Sequence, residues 1–416
     1  MSDSFDSVAI IGLGYIGLPT AALLASHKIK VTGVDINPHT VDTINRGEVH
    51  IVEPELERIV LEAVRQGWLQ ATTRPQPADV FLIAVPTPFK GDHQPDLACV
   101  EAACCSIAPV LKSGDLVILE STSPVGTTDK IAAWLAAARP DLIFPHQADE
   151  PAQINIAYCP ERVLPGRVLQ ELVSNDRVIG GMTPRCSQRA IELYKIFVRA
   201  DCIATAAKTA EMCKLTENAF RDVNIAFANE LSLICDKLDI NVRELIRLAN
   251  RHPRVAILQP GPGVGGHCIA VDPWFIVSQT PDEARLIRTA RQINDSKPHQ
   301  VVKKITLAAA EIAEPVIACL GLTFKPDIDD LRESPALEII QLLAAQKIGQ
   351  LLTVEPHITA LPAVFVGINS VELVSLDEAL LRAHIVVMLV GHQIFFTIDP
   401  RQLAGKTVID TCGVWQ

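Results

Sequence analysis

The sequence predicts an α/β chain in which two doubly wound parallel sheets are joined by a central helical segment. Three observations predict it. A glycine-rich GxGxxG loop stands between a short apolar strand and an apolar helix near the N-terminus. Continuous apolar runs, the mark of strands covered on both faces, recur in the first and last thirds with helical stretches between them. Residues from about 205 to 252 are helical in pattern and separate the two sets. The expected division is 1–200, 201–300 and 301–416.

The first 36 residues justify the first sheet. Val8 to Ile11 reads as a strand, followed by Gly12, Leu13, Gly14, Tyr15, Ile16 and Gly17, an alanine-rich helix, and a second strand from Lys30 to Val34 ending in Asp35. This is the Rossmann fingerprint in its demanded context, with an acid 23 residues past the first glycine. Gly12 makes the tight turn, Gly14 lets backbone touch a pyrophosphate, and Gly17 lets helix and strand pack closely. Tyr15 and Ile16 lead into a helix N-terminus whose N–H groups favour phosphate. Asp35 suits the two ribose hydroxyls and repels a 2′-phosphate, and no Arg follows in Ile36–Asn37. The expected cofactor is NAD.

Asp79 to Val85 and Leu116 to Glu120 continue the sheet and end in Pro86-Thr87-Pro88 and Ser121-Thr122-Ser123-Pro124. Strand carboxyl ends are where open α/β sheets bind ligands. Thr87, Thr122 and Thr128 are candidates to line the nicotinamide, the alternative being turn or cap hydroxyls.

In the last third, Val316 to Gly321, Leu351 to Glu355, His384 to Val390 and Thr407 to Asp410 read as four buried strands. The second again ends in an acid, but GxGxxG is missing. Its place is taken by LTFKPDIDDLRES, residues 322 to 334. Lys325 and Arg332 put positive charge at a strand end, and Phe324 offers a ring for stacking on a base. The reading is a second Rossmann-like domain for a ligand other than a dinucleotide, against the alternative of a solvated charged loop.

On the central helix, Lys214, Asn218 and Arg221 are spaced by four and three and share a face. The apolar residues that follow, among them Phe227 and Ile234, predict a helix buried almost all round, so the polar stripe reads as ligand-facing rather than solvated. Next comes PGPGVGGHCIAVDPW, from Pro260 to Trp274, with Gly261, Gly263, Gly265 and Gly266 around Cys268 and with Asp272 four residues beyond it. A thiol on such a loop is placed for chemistry; a Gly/Pro connector is the alternative. A thiol beside a nicotinamide suits further oxidation of an aldehyde, through a thiohemiacetal and a thioester. Lys214 would favour the thiolate and the developing oxyanions. Asp272, and Glu161 in YCPERVLPG, are the carboxylates placed to move protons.

Bulk properties narrow the classes. The 416 residues suffice for two or three domains, and 49% hydrophobic with 20% charged residues is ordinary for a globular enzyme. A net charge of −11 argues against nucleic acid or an anionic membrane as partner. No basic n-region opens the chain, and no apolar run nears the roughly 18 residues of a membrane helix. Eleven scattered cysteines without a CxxC pair point to a cytoplasmic protein with reduced thiols and no metal site.

Taken together, GLGYIGLP, AVPTPF, ESTSPVGT, YCPERVLPG, EMCKLTEN, GPGVGGHCIAVDP and LTFKPDIDDLRESP resemble the UDP-glucose/GDP-mannose dehydrogenase family over nearly the whole chain. The resemblance implies NAD-dependent four-electron oxidation of a UDP-sugar at C6. It implies Cys268 as nucleophile, Lys214 as acid/base or oxyanion partner, and Glu161, Asn218 and Asp272 positioning water and moving protons. Arg162, Val163, Arg221 and Gly265 would line the sugar nucleotide, Lys325 its diphosphate, and Arg332 would close over NAD. His252 and Arg254, with Arg251 the alternative to Arg254, would reach the substrate from the neighbouring subunit of a homodimer. Pro165 stands where UDP-glucose members carry a second acid, and His267 where they carry Ser, which puts UDP-glucose itself in doubt. HPRVAILQPGPGVGGHCIAVDPWF and RLIRTARQIND are most similar to members that oxidise UDP-N-acetyl-D-mannosamine for enterobacterial common antigen, with UDP-N-acetylglucosamine the alternative. A two-electron β-hydroxyacid dehydrogenase has no need of Cys268 or a second nucleotide-type domain. A dinucleotide-sensing regulator leaves the Lys214 stripe unexplained.

Overall fold

The structure is a computed structural model and describes residues 5–51, 53–91, 93–147, 152–164 and 166–415; Pro165 lies outside them. The chain divides into two compact units, residues 1–217 and 218–416.

In the first unit the strands are β1 (Ser7–Ile11), β2 (Lys30–Val34), β3 (Leu69–Thr72), β4 (Val80–Ile83), the hairpin strands β5 (Phe89–Lys90) and β6 (Gln94–Pro95), β7 (Leu116–Leu119), β8 (Asn155–Tyr158), β9 (Arg177–Gly181) and β10 (Cys202–Ala206). The helices are α1 (Gly17–Ser26), α2 (Pro38–Asn45), α3 (Leu56–Arg65), α4 (Ala98–Ile107), α5 (Thr127–Ala138), α6 (Val168–Ser174) and α7 (Pro184–Tyr194). The eight-stranded sheet runs β10-β9-β8-β7-β4-β1-β2-β3. Its pairs are parallel except β8 with β9. Strand alternation assigns the core. Val8 and Ile10 face Leu18, Leu24 and Val60, whereas Ala9 and Ile11 face Val100, Ile107 and Ile131. Helices therefore cover both faces, as parallel strands require.

The unit boundary falls within α8 (Ala207–Leu238), which is followed by α9 (Val242–Ala249), α10 (Asp272–Gln279), α11 (Arg285–Ala309), β11 (Val316–Leu320), α12 (Pro335–Ala345), β12 (Gln350–Val354), β13 (Val371–Leu373), α13 (Leu376–Arg382), β14 (Ile385–Met388) and β15 (Thr407–Asp410). The second sheet runs β13-β12-β11-β14-β15, all parallel. In both units the first strand lies third from one sheet edge, and the chain winds outward from it both ways. The first turns match closely: Gly12 N–H donates to Val34 O and Gly321 N–H to Val354 O, each at 2.8 Å. Both glycines hold positive φ, 95° and 91°, which a side chain resists.

Two expectations need correction. Thr407–Asp410 is a strand, but at a sheet edge, so Thr407 and Val408 are exposed rather than buried. Helix α8 is not buried all round either. Phe220, Phe227 and Ile234 are 68%, 52% and 45% exposed, while Asp222, Asn229 and Ser232 are buried against α11. The packed face is partly polar, and it is the heptad-spaced apolar face that looks outward.

Candidate active site

The GxGxxG loop is built as its residue types require. A Cβ on Gly17 would lie 1.9 Å from Gly12 O, and one on Gly12 2.5 Å from Ala84 O. Gly14 differs: its Cβ position meets nothing within 4 Å, leaving open backbone for a ligand. Among the described residues no side chain caps the N-terminus of α1. Leu18 N–H and Thr20 N–H bond Gly14 O and Ile16 O at 3.1 Å and Pro19 has no N–H, so the helix dipole is what this end offers a phosphate. Tyr15 is exposed and Ile16 half-buried. Asp35 accepts from Leu13 N–H at 3.1 Å and Asn37 N–H at 2.9 Å, which fixes a half-buried carboxylate beside the loop. The helix end, the acid and the gap at Gly14 fit a dinucleotide. When bound, NAD supplies a hydride acceptor. Nearby, burial lowers the His50 imidazole below its ordinary value, with Asp35 opposing.

The threonines at the strand ends make turn and cap bonds. Thr87 Oγ1 donates to Thr122 O. Thr128 is fully buried and donates to Glu211 Oε1 at 2.6 Å. Glu211 also takes the N–H groups of Thr128 and Gly126 at 2.8 and 2.6 Å, so its carboxylate caps α5. Burial raises the Glu211 carboxyl despite these bonds. Thr122 is half-buried at the end of β7.

Lys214 and Glu161 come together. Lys214 Nζ donates to the Glu161 carbonyl at 2.5 Å. The Glu161 side chain, itself buried, accepts from Arg162 N–H at 2.5 Å and pairs with Arg177 at 3.4 Å. Arg162 is held by Glu217 through Nε and NH2 at 3.0 and 2.8 Å, and Val163 packs on the first core. Behind Arg177 stands Glu120, which accepts from Tyr194 Oη at 2.6 Å. Burial pushes the Glu120 carboxyl up to about 7, with Arg177 opposing and Glu161 adding to the rise. Arg177, Glu120, Glu211 and Glu217 were missed in the sequence. A polar residue ending an apolar strand was the available signal for Glu120.

In the second unit Asn218 Nδ2 donates to Asp272 Oδ2 at 2.5 Å. Asp272 is buried and opens α10. The Cys268 carbonyl accepts from the N–H groups of Val271 and Asp272 at 3.0 and 2.8 Å, so the thiol-bearing residue stands on the turn leading into α10. The glycines before it are packed tightly: a Cβ on Gly265 would lie 2.4 Å from Glu333 O, and one on Gly266 2.8 Å from the Phe324 ring. Gly266 N–H donates to Arg332 O at 3.2 Å. Phe324 is thus half-buried under this loop, while Lys325 is exposed and the exposed Arg332 is paired with Asp330 at 2.6 Å. Arg221, Arg251, His252 and Arg254 are exposed. Asp327, His357 and His392 bring ligand-type atoms within 4.8 Å of one another. Both ring nitrogens of His392 are already engaged, by Asp327 N–H and by Glu355.

A dinucleotide loop, a thiol on a glycine-rich turn and a second, fingerprint-free parallel sheet define an NAD-dependent nucleotide-sugar dehydrogenase. Family models bear this out in three consecutive segments of the UDP-glucose/GDP-mannose dehydrogenase family: the NAD binding domain over residues 6–198, the central domain over 208–296 and the UDP binding domain over 318–416. The chain belongs to this family and is a UDP-sugar dehydrogenase. It is 64% identical over 411 residues to the NDP-N-acetyl-D-galactosaminuronic acid dehydrogenase of Ralstonia nicotianae, covering 99% of this chain and 96% of the relative. It is 63% identical over 421 residues to the UDP-N-acetyl-D-mannosamine dehydrogenase of Yersinia pestis, covering 99% and 100%. Among solved structures, a UDP-D-ManNAc dehydrogenase from Pyrococcus horikoshii superposes with a TM-score of 0.88 at 38% identity, covering 99% of this chain and 96% of the other.

Proposed function

We propose that this enzyme oxidises C6 of UDP-N-acetyl-D-mannosamine to the carboxylate, giving UDP-N-acetyl-D-mannosaminuronate and reducing two NAD per sugar. The observation that carries the chemistry is Cys268 on the turn into α10, with Asp272 held by Asn218 at 2.5 Å. Identity of 63% to a dehydrogenase of that name supports the sugar.

In the first oxidation, Lys214 takes the C6 hydroxyl proton through a water while the C6 hydride leaves, giving an aldehyde. The Cys268 thiolate then adds to the aldehyde carbon. A C–S bond forms, and the oxygen gains a proton to give a thiohemiacetal. Loss of that proton and a second hydride gives the thioester. Water, positioned by Asp272 and Asn218 and deprotonated by Glu161, cleaves the C–S bond and returns the thiol and a carboxylate. Thr87, Thr122, Thr128 and Arg332 are assigned to NAD, and Arg162, Val163, Arg221, Gly265, Phe324 and Lys325 to the sugar nucleotide. A homodimer lends His252 and Arg254, or Arg251, to its neighbour's substrate. The domain limits 1–200, 201–300 and 301–416 and a cytoplasmic location belong to the same proposal; no helix among the described residues is long and apolar enough to cross a membrane. The product serves as donor for a surface polysaccharide of the enterobacterial common antigen kind.

The test is the ratio of NADH formed to sugar nucleotide consumed. Two supports the double oxidation, and one sinks it. Cys268→Ala should form no uronate. The Ralstonia relative favours a second reading, a galactosamine-series sugar. UDP-N-acetylmannosamine, UDP-N-acetylglucosamine and UDP-N-acetylgalactosamine assayed side by side discriminate these substrates.

A further inference from the structure

A buried polar seam joins α8 to α11 within the second unit. From α8 it takes Asp222, Asn229 and Ser232, and from α11 Arg291, Asn294 and Lys297; none is more than 7% exposed. Seven and three residues separate the first set and three and three the second, so each set lies along one helix face. An apolar seam would satisfy packing without the desolvation these groups incur. A seam of this kind calls for a use.

Its donor–acceptor order runs one way. Arg291 NH1 pairs with Asp222 Oδ1 at 2.6 Å, and an ionised carboxylate only accepts. Asn294 must therefore turn its amide nitrogen to Asp222, which it does at 2.8 Å. Its oxygen is left to face Asn229, whose Nδ2 donates to it at 2.9 Å. The Asn229 oxygen in turn accepts the Gly261 N–H at 2.9 Å. Asn229 is also gripped at its main chain: Ser232 Oγ donates to its carbonyl at 2.6 Å and itself accepts from Lys297 Nζ at 2.8 Å. Each amide has one workable orientation, and the last member meets the start of the glycine-rich loop. Farther along that loop, a Cβ on Gly263 would lie 2.9 Å from Pro335 and 3.3 Å from Pro298, the residue after Lys297. The seam thus ends where the loop is anchored.

We propose that Asn229 is a positioning residue for the Cys268 loop, holding it through the Gly261 N–H, with Arg291, Asp222 and Asn294 as the frame that orients the Asn229 amide. This rests on Cys268 being the nucleophile. A loop with glycines at four of six successive positions from 261 to 266 has much backbone freedom to lose. A buried, unidirectional hydrogen-bond chain supplies a fixed point that an apolar contact would not. Misplacement of a reacting group by about 1 Å lowers rates by up to roughly a hundredfold, which sets the scale of the expected effect.

The experiment compares full-length Asn229→Leu and Asn229→Asp with wild type. Asn229→Asp keeps the acceptor for Gly261 but sets a carboxylate oxygen against Asn294 Oδ1. Steady-state kinetics should show kcat lowered about tenfold to a hundredfold, with KM for NAD and for the UDP-sugar within about twofold. Hydrogen exchange over residues 260–268 should be faster. A variant that folds as wild type with unchanged kcat, or with unchanged exchange in this segment, overturns the proposal. Should Asn229→Leu not fold, Asn229→Asp is read by the same two criteria. Failure of the nucleophile assignment shows separately, as uronate still formed by Cys268→Ala, and leaves the exchange result standing.

Discussion

His392 Nε2 lies 3.0 Å from Glu355 Oε2, and neither side chain has any exposed surface. The direction of this bond is fixed by the other ring nitrogen: Nδ1 accepts Asp327 N–H at 2.9 Å, so Nε2 carries the proton. Glu355 ends β12 as Asp35 ends β2, and each takes an N–H of its own first turn, from Leu322 at 2.7 Å and from Leu13 at 3.1 Å. Asp35 stays half-buried beside the dinucleotide loop, whereas Glu355 is sealed beneath an imidazole. The same topological position therefore leaves a carboxylate partly open in one sheet and closes it into internal structure in the other. Burial works to raise Glu355, but His392 and Leu322 N–H outweigh it and hold the carboxyl below 4.5. The lowered value means stability that is full above 4.5 and lost as pH falls through the folded-state value. His392→Phe, which leaves the carboxylate short of a donor, should lower unfolding free energy by about 1–3 kcal/mol at pH 7. Urea titration should show that gap narrowing below pH 4.5.

Gly14 and Gly17 should part company on substitution. Gly17→Ala drives a methyl into Gly12 O and should destabilise the fold, seen as a lowered Tm. Gly14→Ala meets only open space, so Tm should hold while the methyl stands where a pyrophosphate approaches. NAD affinity, by calorimetry or fluorescence, should fall about tenfold or more, which is about 1.4 kcal/mol. An unchanged NAD affinity in Gly14→Ala would mean that the pyrophosphate passes elsewhere.

Much of this was legible in the sequence, and the failures share a cause. The fingerprint, Asp35 and the apolar strands β1, β2, β4, β7, β11, β12 and β14 announce themselves through neighbours in the chain. Thr128 and Glu211 are 83 residues apart, so nothing local connects them. Strand β10 gives a weaker signal because it lies at a sheet edge and carries Ile203 half exposed. Helix α8 departs from its sequence pattern for a different reason. Apolar residues favour the inside by default, yet Asp222, Asn229 and Ser232 repeat on one face, and Arg291, Asn294 and Lys297 do so on α11. Two polar sets in register on two helices were the available signal for a buried seam.

Lys297, in that seam, offers a stability test. Burial lowers its ammonium from 10.5 to about 8, with Lys304 adding to the fall and Asp236 opposing. Below pH 8 the amine is charged in both folded and unfolded chains, and the folded state bears the whole desolvation penalty. Above 10.5 it is neutral in both, and the penalty is gone. Lys297→Met should therefore stabilise the protein at pH 7 by about 2 kcal/mol once the lost Ser232 bond is counted. Thermal melts should show the gain shrinking between pH 8 and 10.5. A variant less stable than wild type at pH 7 would show that the amine is a net support.

Glu120 gives the mirror case. Its carboxyl is raised from 4.5 to about 7 by burial, Arg177 opposing, and Oε2 has no partner among the described residues. Below pH 4.5 the group is protonated whether the chain is folded or not, so it takes nothing from stability. Above pH 7 it is ionised in both states, and the folded protein bears a penalty of about 3 kcal/mol. Stability contributed by this site therefore falls as pH rises from 4.5 to 7, opposite in sign to Glu355. Glu120→Gln keeps the acceptor for Tyr194 and cannot ionise. It should match wild type in urea at pH 5 and exceed it by about 1–3 kcal/mol at pH 8. Because Arg177 also pairs with Glu161 at 3.4 Å, removing the competing carboxylate should leave that pair intact and hold uronate formation steadier between pH 6 and 8. A variant whose stability tracks wild type at both pH values would mean that Glu120 is already neutral, or already paired, across the whole range.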